Sequence, residues 1–284
     1  MKYKTILVTG GAGFVGSALL EHLSSSKQYK LYSLDNYTTG NSKNHVRGVN
    51  YIGADTQNID EYDWVSPDVV FHFGEYSRVS TSFEDEQIVF DSNTIGTKKV
   101  IDYCIKNNAR LIYSASSTKF GDNGDNANAS PYAFYKSLNV DSIINYSKWF
   151  DLDYSIAYFY NVYGKRQISE GKYSTVIGIF ERLRKEGKPL TVCSPGTQLR
   201  DFTHIDDIVS GLETIMNKGQ KEEYWLGTGK NYSILEVAKM FSSSIEIIPS
   251  RPGERNKTEI NLNSMIKLGW KAKMDLKDYI GRIN

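Results

Sequence analysis

A strand that runs straight into a cluster of glycines limits this chain more than any other feature. Residues 5–9 (TILVT) read as a short buried strand, and Gly10, Gly11, Ala12, Gly13, Phe14, Val15 and Gly16 follow at once. Helical spacing begins at 16–25. Glycines at these positions permit a tight turn and let backbone approach a bound group closely. The helix behind them begins with unpaired amides and partial positive charge, which suit a pyrophosphate. A second strand reads over 31–34 and ends at Asp35, about 20 residues beyond Gly16, where a dinucleotide fold places its ribose-binding acid. A carboxylate there accepts hydrogen bonds from an adenosine ribose and repels a 2′-phosphate, so NAD is favoured over NADP. A ligand-free glycine turn would match the loop alone. Strand, helix and acid in register favour the dinucleotide.

The alternation continues. Runs at 50–53, 68–73, 110–114 and 154–158 read as strands. Helical spacing recurs at 97–107, with Val100, Ile101, Cys104 and Ile105 on one face, and at 132–149. Strands alternating with helices predict an α/β fold built on a doubly wound, parallel Rossmann sheet. The later chain is less regular: 175–185 and 233–243 look helical, and 164–172 and 249–256 look like loops. The stretch 121–130 (GDNGDNANAS) is a polar, turn-rich surface loop. The expected division is an NAD-binding domain over 1–163, to which 197–228 returns. A smaller substrate-binding lobe would take 164–196 and 229–284.

Composition removes several alternatives. A net charge of +1 gives no global field towards nucleic acid or membrane. The two cysteines, Cys104 and Cys193, are far apart, and the four histidines form no HExxH pattern, so no metal site is expected. No stretch reaches the ~18 apolar residues of a membrane span. The opening MKYKTILVTG does not read as a signal peptide, and the cytoplasm is the expected compartment.

Tyr132 and Lys136 stand four residues apart at the start of a helical stretch, hence on one face. An ammonium beside a phenol stabilises the phenolate, which can then take a proton from a sugar hydroxyl. Tyr135, three positions round the helix from Tyr132, is expected to face elsewhere. A polar turn before an exposed helix is the plainer alternative.

Longer motifs now accumulate. TGGAGFVG, LDNYTTGN, SASSTKFG at 114–121 and SPYAFYK at 130–136 resemble the extended short-chain dehydrogenase/reductase family, in particular its nucleotide-sugar epimerases and dehydratases. The resemblance covers almost the whole chain. It implies a catalytic set of Ser116, Tyr132 and Lys136. It implies a cofactor site of Gly10, Gly13, Phe14, Val15, Gly16, Asp35, Asn36, Asp55, Phe73, Gly74, Glu75, Asn93, Tyr132, Lys136 and Tyr160. FYNVYG at 159–164, RDFTHIDD at 200–207 and RPGE at 251–254 match substrate elements, implying Asn161, Arg200 and Arg251 around a diphosphate. Arginine suits that role because its fork matches phosphate oxygens. Asp206 and Asp207 are expected to cap the helix after them.

The departures are informative. Family dehydratases carry an Asp–Glu pair where this chain has Ser117 and Thr118, and decarboxylases carry a glutamate at the Thr118 position. Elimination and decarboxylation therefore lose support. HFGEY at 72–76 replaces HLAAQ and puts Glu75 near the nicotinamide. The residue expected beside the sugar's carbon 2 is Thr258, small enough for an N-acetyl group. The implied activity is NAD-dependent 4-epimerisation of UDP-GlcNAc/GalNAc, UDP-Glc/Gal or both, through a 4-keto intermediate, in a homodimer. A nucleotide-sugar 4-ketoreductase and a non-catalytic NAD-binding sensor remain as alternatives.

Overall fold

The computed structural model describes residues 4–62, 66–241, 244–253, 255–257 and 259–283. The first strand, β1 (Thr5–Thr9), is followed by α1 (Phe14–Ser24), β2 (Lys30–Asp35), β3 (Val49–Gly53) and β4 (Val69–His72). Next come α2 (Glu86–Val89), a π-helical stretch over Phe90–Gly96 and α3 (Thr97–Asn107). Then β5 (Arg110–Ser116), α4 (Pro131–Phe150) and β6 (Tyr154–Phe159) complete the first half. In the second half β7 (Val162–Tyr163), α5 (Val176–Lys185), β8 (Leu190–Cys193), β9 (Leu199–Asp201) and β10 (Thr203–His204) precede α6 (Ile205–Lys218). The chain ends with β11 (Glu223–Leu226), β12 (Asn231–Ser233), α7 (Ile234–Met240), β13 (Ile245–Ile248), α8 (Asn263–Lys267) and α9 (Leu276–Ile283).

Seven strands form one parallel sheet in the order β11-β6-β5-β4-β1-β2-β3. This is the expected doubly wound Rossmann arrangement. The inner strands β1, β4, β5 and β6 are buried on both faces, whereas β3 at the edge is partly exposed. One face packs Leu19, Leu20, Ile208 and Leu212 from α1 and α6. The other packs Val100, Cys104, Val140 and Ile143 from α3 and α4. Strand order reverses at β1, which lies between β4 and β2, and such a reversal opens a crevice at the carboxyl ends of the strands. A separate core of Phe180, Leu190, Val192, Val237, Phe241 and Leu276 sits under the short β8–β13 pair.

Most strands extend one or two residues beyond their apolar runs; β5 continues through Ser116. The helix expected from 97 continues a helical run that starts at Glu86, with the π-helical stretch between. There Asn93 turns inward, and a Cβ on Gly96 would come within 2.3 Å of Thr56 Oγ1. The helix expected over 233–243 ends at Met240, and 242–243 lie outside the described residues. The loop over 121–130 contains a 3₁₀ turn over Asp122–Asn128. Among the described residues no helix is long and apolar enough to cross a membrane.

Candidate active site

A cavity of about 670 Å³ follows the carboxyl edge of the sheet from the glycine loop to the β8–β13 lobe. At the loop, Gly10 has φ +71°, and a Cβ on Gly16 would lie 2.2 Å from Gly10 O. Glycine is therefore required at both. No side chain caps α1, so its first amides are left for a ligand. Asp35 anchors this turn, with Oδ2 accepting from Ala12 N at 2.8 Å and Oδ1 from Tyr37 N at 2.8 Å. Asn36 donates to Asp55 Oδ1 at 2.5 Å, and both line the cavity. Gly10, Gly13, Phe14, Val15 and Gly16 line it too. A bare helix end, a cradle that a Cβ would fill and a carboxylate at the tip of β2 are what an NAD pyrophosphate and ribose need.

Beyond β4, Phe73, Gly74 and Glu75 also face the cavity. Glu75 is an acid inside the protein: its side chain is 2% exposed. One oxygen pairs with the Lys136 ammonium. The other accepts from Tyr113 Oη at 3.0 Å, Thr97 Oγ1 at 3.1 Å and Asn139 Nδ2 at 3.1 Å. Lys136 also donates to Ser114 O at 2.6 Å. A buried charge persists only when paired and hydrogen-bonded, and this carboxylate is both. Burial pushes the Tyr113 phenol well up, and the carboxylate beside it acts in the same direction.

His72 backs this network. Its Nδ1 lies 2.7 Å from Thr9 Oγ1 and its Nε2 lies 2.9 Å from Thr97 Oγ1. Because Thr97 gives its proton to Glu75, it accepts from His72 Nε2–H. Nδ1 then accepts from Thr9, whose oxygen in turn accepts from Phe73 N and Gly74 N. Burial holds the imidazole down at about 4, so it is neutral and serves this chain of bonds.

Tyr132 sits in the first turn of α4. Ser130 caps that turn by accepting from Ala133 N at 3.1 Å, and Pro131 begins it. Tyr132, Lys136 and Ser116 all line the cavity. Ser116, at the tip of β5, accepts from Thr118 Oγ1 at 2.9 Å. Tyr135 points away and donates to Glu86 at 2.6 Å.

At the lobe end, Asn161, Arg200 and Arg251 line the same cavity. Asn161 donates to Asp201 O at 2.7 Å. Arg200 lies on β9, which pairs antiparallel with β12. Asp201 holds the turn after β11 through Thr228 N at 3.0 Å and Gly229 N at 2.6 Å. Sequence reasoning passed over two further cavity residues, Arg78 and Arg255. The signal was available: each arginine lies within four residues of a motif already singled out, in HFGEYSR and RPGER.

The structure places the remaining expected residues as follows, and one expectation, the cap of α6, is corrected. Asn93 and Tyr160 are fully buried beside the cavity, and neither is among its lining residues. Asn93 clamps the backbone of Tyr76 at 2.7 and 3.0 Å, and Tyr160 donates to Glu259 O at 2.5 Å. His204, not the aspartates, caps α6 by accepting from Asp206 N at 3.2 Å. Asp207 instead accepts from Lys273 N and Met274 N at 3.0 and 2.9 Å. Thr258 lies outside the described residues.

A family model described as the NAD dependent epimerase/dehydratase family matches residues 6–227. The chain belongs to this family. Its cofactor is NAD, and its kin act as nucleotide-sugar enzymes. A Methanocaldococcus jannaschii protein provisionally named UDP-glucose 4-epimerase is 29% identical, covering 98% of this chain and 96% of that one. UDP-glucuronic acid decarboxylase 6 of Arabidopsis thaliana is 27% identical over 96% of this chain and 85% of its own. The UDP-glucose 4-epimerase of Thermotoga maritima, solved with UDP-glucose, superposes with a TM-score of 0.91. It is 24% identical, with 97% of this chain and 96% of that one covered, and this likeness supports the fold.

Proposed function

We propose that this family member is a UDP-sugar 4-epimerase acting on a gluco/galacto pair, plain or N-acetylated at carbon 2. One juxtaposition carries the reading: Ser116, Tyr132 and Lys136 line the same cavity as the glycine loop and the Arg200–Arg251 end. NAD, when bound, supplies reversible acceptance of a hydride at carbon 4. Tyr132 takes the proton from the 4-hydroxyl, and the Ser116 hydroxyl holds the reacting oxygen. Lys136, held by Glu75 and Ser114 O, stands one helical turn from Tyr132 on α4 and is proposed to favour its phenolate. Arg200 and Arg251 hold the diphosphate while the 4-keto sugar turns over, and Tyr132 then returns the proton.

No carboxylate stands at Thr118. Its hydroxyl is spent on Ser116, so it offers no acid for elimination or decarboxylation. Thr258 remains the proposed neighbour of carbon 2, and Thr258→Tyr should suppress N-acetyl substrates while sparing plain hexoses. A homodimer is part of the proposal. The test is incubation with UDP-glucose, UDP-N-acetylglucosamine and UDP-glucuronate in turn, followed by proton NMR of the anomeric region. A new galacto-type signal is expected with the wild type, and Tyr132→Phe should slow its appearance by ~10²-fold. No new signal from any sugar would refute the reading.

A further inference from the structure

Glu75 borders the cavity from the HFGEY segment at the end of β4, yet its side chain is 2% exposed. An ionised carboxylate this deeply buried is costly unless donors surround it. Three neutral donors from three elements converge on Oε1: Tyr113 Oη of β5 at 3.0 Å, Thr97 Oγ1 of α3 at 3.1 Å and Asn139 Nδ2 of α4 at 3.1 Å. Asn139 is itself tied to Asn93 O at 2.5 Å. A carboxylate that served only to balance a lysine would need none of these bonds. Together they fix its orientation.

Oε2 is left for Lys136. A lysine ammonium has three N–H donors on a flexible four-carbon stem. Glu75 takes one, and Ser114 O takes a second at 2.6 Å. The ammonium also lies 4.7 Å from the centre of the Tyr113 ring. With two donors anchored, the direction of the third is set. Lys136 lines the cavity, as does Tyr132 one helical turn before it on α4. Both Glu75 oxygens accept from the protein, so Glu75 is not placed to give a proton to a sugar. Its effect on the reaction runs through Lys136.

We propose that Glu75 is a positioning residue: it fixes the Lys136 ammonium, so that this charge keeps one place, a helical turn from Tyr132, throughout turnover. The proposal rests on the epimerase reading for the step it assists, and it holds whichever sugar is bound.

Two measurements on the NAD-loaded protein test it, one of them without substrate. The first is proton–nitrogen NMR of protein labelled at lysine Nζ. An ammonium held by a buried ion pair exchanges slowly with water and gives a resolved signal, identified here by its loss in Lys136→Arg. The wild type should show this signal and Glu75→Gln should lose it. The second is steady-state kinetics with UDP-glucose and UDP-N-acetylglucosamine. Glu75→Gln should lower kcat about 10- to 100-fold and leave KM within about threefold, because the alignment of the reacting groups changes and the hold on the sugar does not. Tyr113→Phe keeps the ring and the ion pair and removes one donor to Oε1. It should keep the Lys136 signal and lose less than about threefold in kcat. Thermal melts check that each variant folds. Should Glu75→Gln fail to fold, the wild-type spectrum decides: a resolved Lys136 ammonium supports the proposal and its absence overturns it. A Lys136 signal that survives in Glu75→Gln would also overturn it, as would a KM that rises as far as kcat falls, or equal losses in the two variants. Loss of the signal in Glu75→Gln, with no epimer formed from any sugar by the wild type, would uphold the hold on Lys136 and count against the epimerase reading.

Discussion

Lys136 and Glu75 form an ion pair inside the protein, with side chains only 6% and 2% exposed. The lysine belongs to the YxxxK pattern, and the acid stands where family relatives carry alanine. Neither charge can be removed alone without stranding the other. Glu75→Ala should cost about 3–5 kcal/mol of stability, the usual penalty for an uncompensated buried charge. Adding Lys136→Met should restore much of that loss. Urea unfolding of the two single variants and the double variant measures the coupling. Additive losses would mean that the two side chains do not depend on each other.

His72 predicts an acid limit. Its folded value of about 4 lies below its ordinary 6.5 because burial disfavours the charged ring. The unfolded chain therefore takes up a proton that the folded chain refuses. The stability from the neutral ring is complete above pH 6.5 and is lost as pH falls towards 4. The loss is about 2 kcal/mol at pH 5 relative to pH 7. Unfolding free energies of the wild type and His72→Gln over that window should differ in slope, the variant being flatter. Parallel slopes would show that other groups set the acid limit.

Asp35 has two tasks, and the second was not visible in the sequence. It faces the expected ribose position, and it also holds Ala12 N and Tyr37 N. Asp35→Ser should therefore weaken NAD binding and shift preference towards NADP. Fluorescence titration with both dinucleotides gives the ratio. Tighter NADP binding by the wild type would remove Asp35 from the ribose site.

Several large apolar side chains on the run from Phe90 to α4 are exposed: Ile95, Phe134, Leu138, Trp149 and Phe150, Trp149 by 65%. A second copy laid against these helices would cover them. Sedimentation at micromolar concentration should give the mass of a dimer, and Leu138→Asp should give a monomer. A monomeric wild type would contradict the assembly.

Much of this architecture was legible in the sequence because it depends on local rules. The runs TILVT and RLIYS are strands because they are apolar on both faces, and Gly10 and Gly16 are glycines because the loop has no space for a Cβ. Contacts between distant segments were not legible. Nothing near Asn93 in the chain reveals that it clamps Tyr76, or that a π-helical stretch turns it inward. Tyr160 was placed at the cofactor by resemblance, and its hydroxyl's bond to Glu259 O, across 99 residues, was not visible in the motif. Glu75 was visible as a departure, yet its partners Tyr113, Thr97 and Asn139 come from three separate elements. Arg78 and Arg255 stand far apart in the chain, yet both line the same cavity.

The central claim is that carbon 4 loses a hydride to NAD and regains it within one active site. UDP-sugars deuterated at carbon 4, incubated with enzyme and less than one equivalent of NAD, test this most directly. Proton and deuterium NMR should show 4-epimers exceeding the NAD supplied, with deuterium retained at carbon 4 and no accumulation of NADH. Loss of the label to water, or product that stops at one equivalent of NAD with NADH formed, would contradict it.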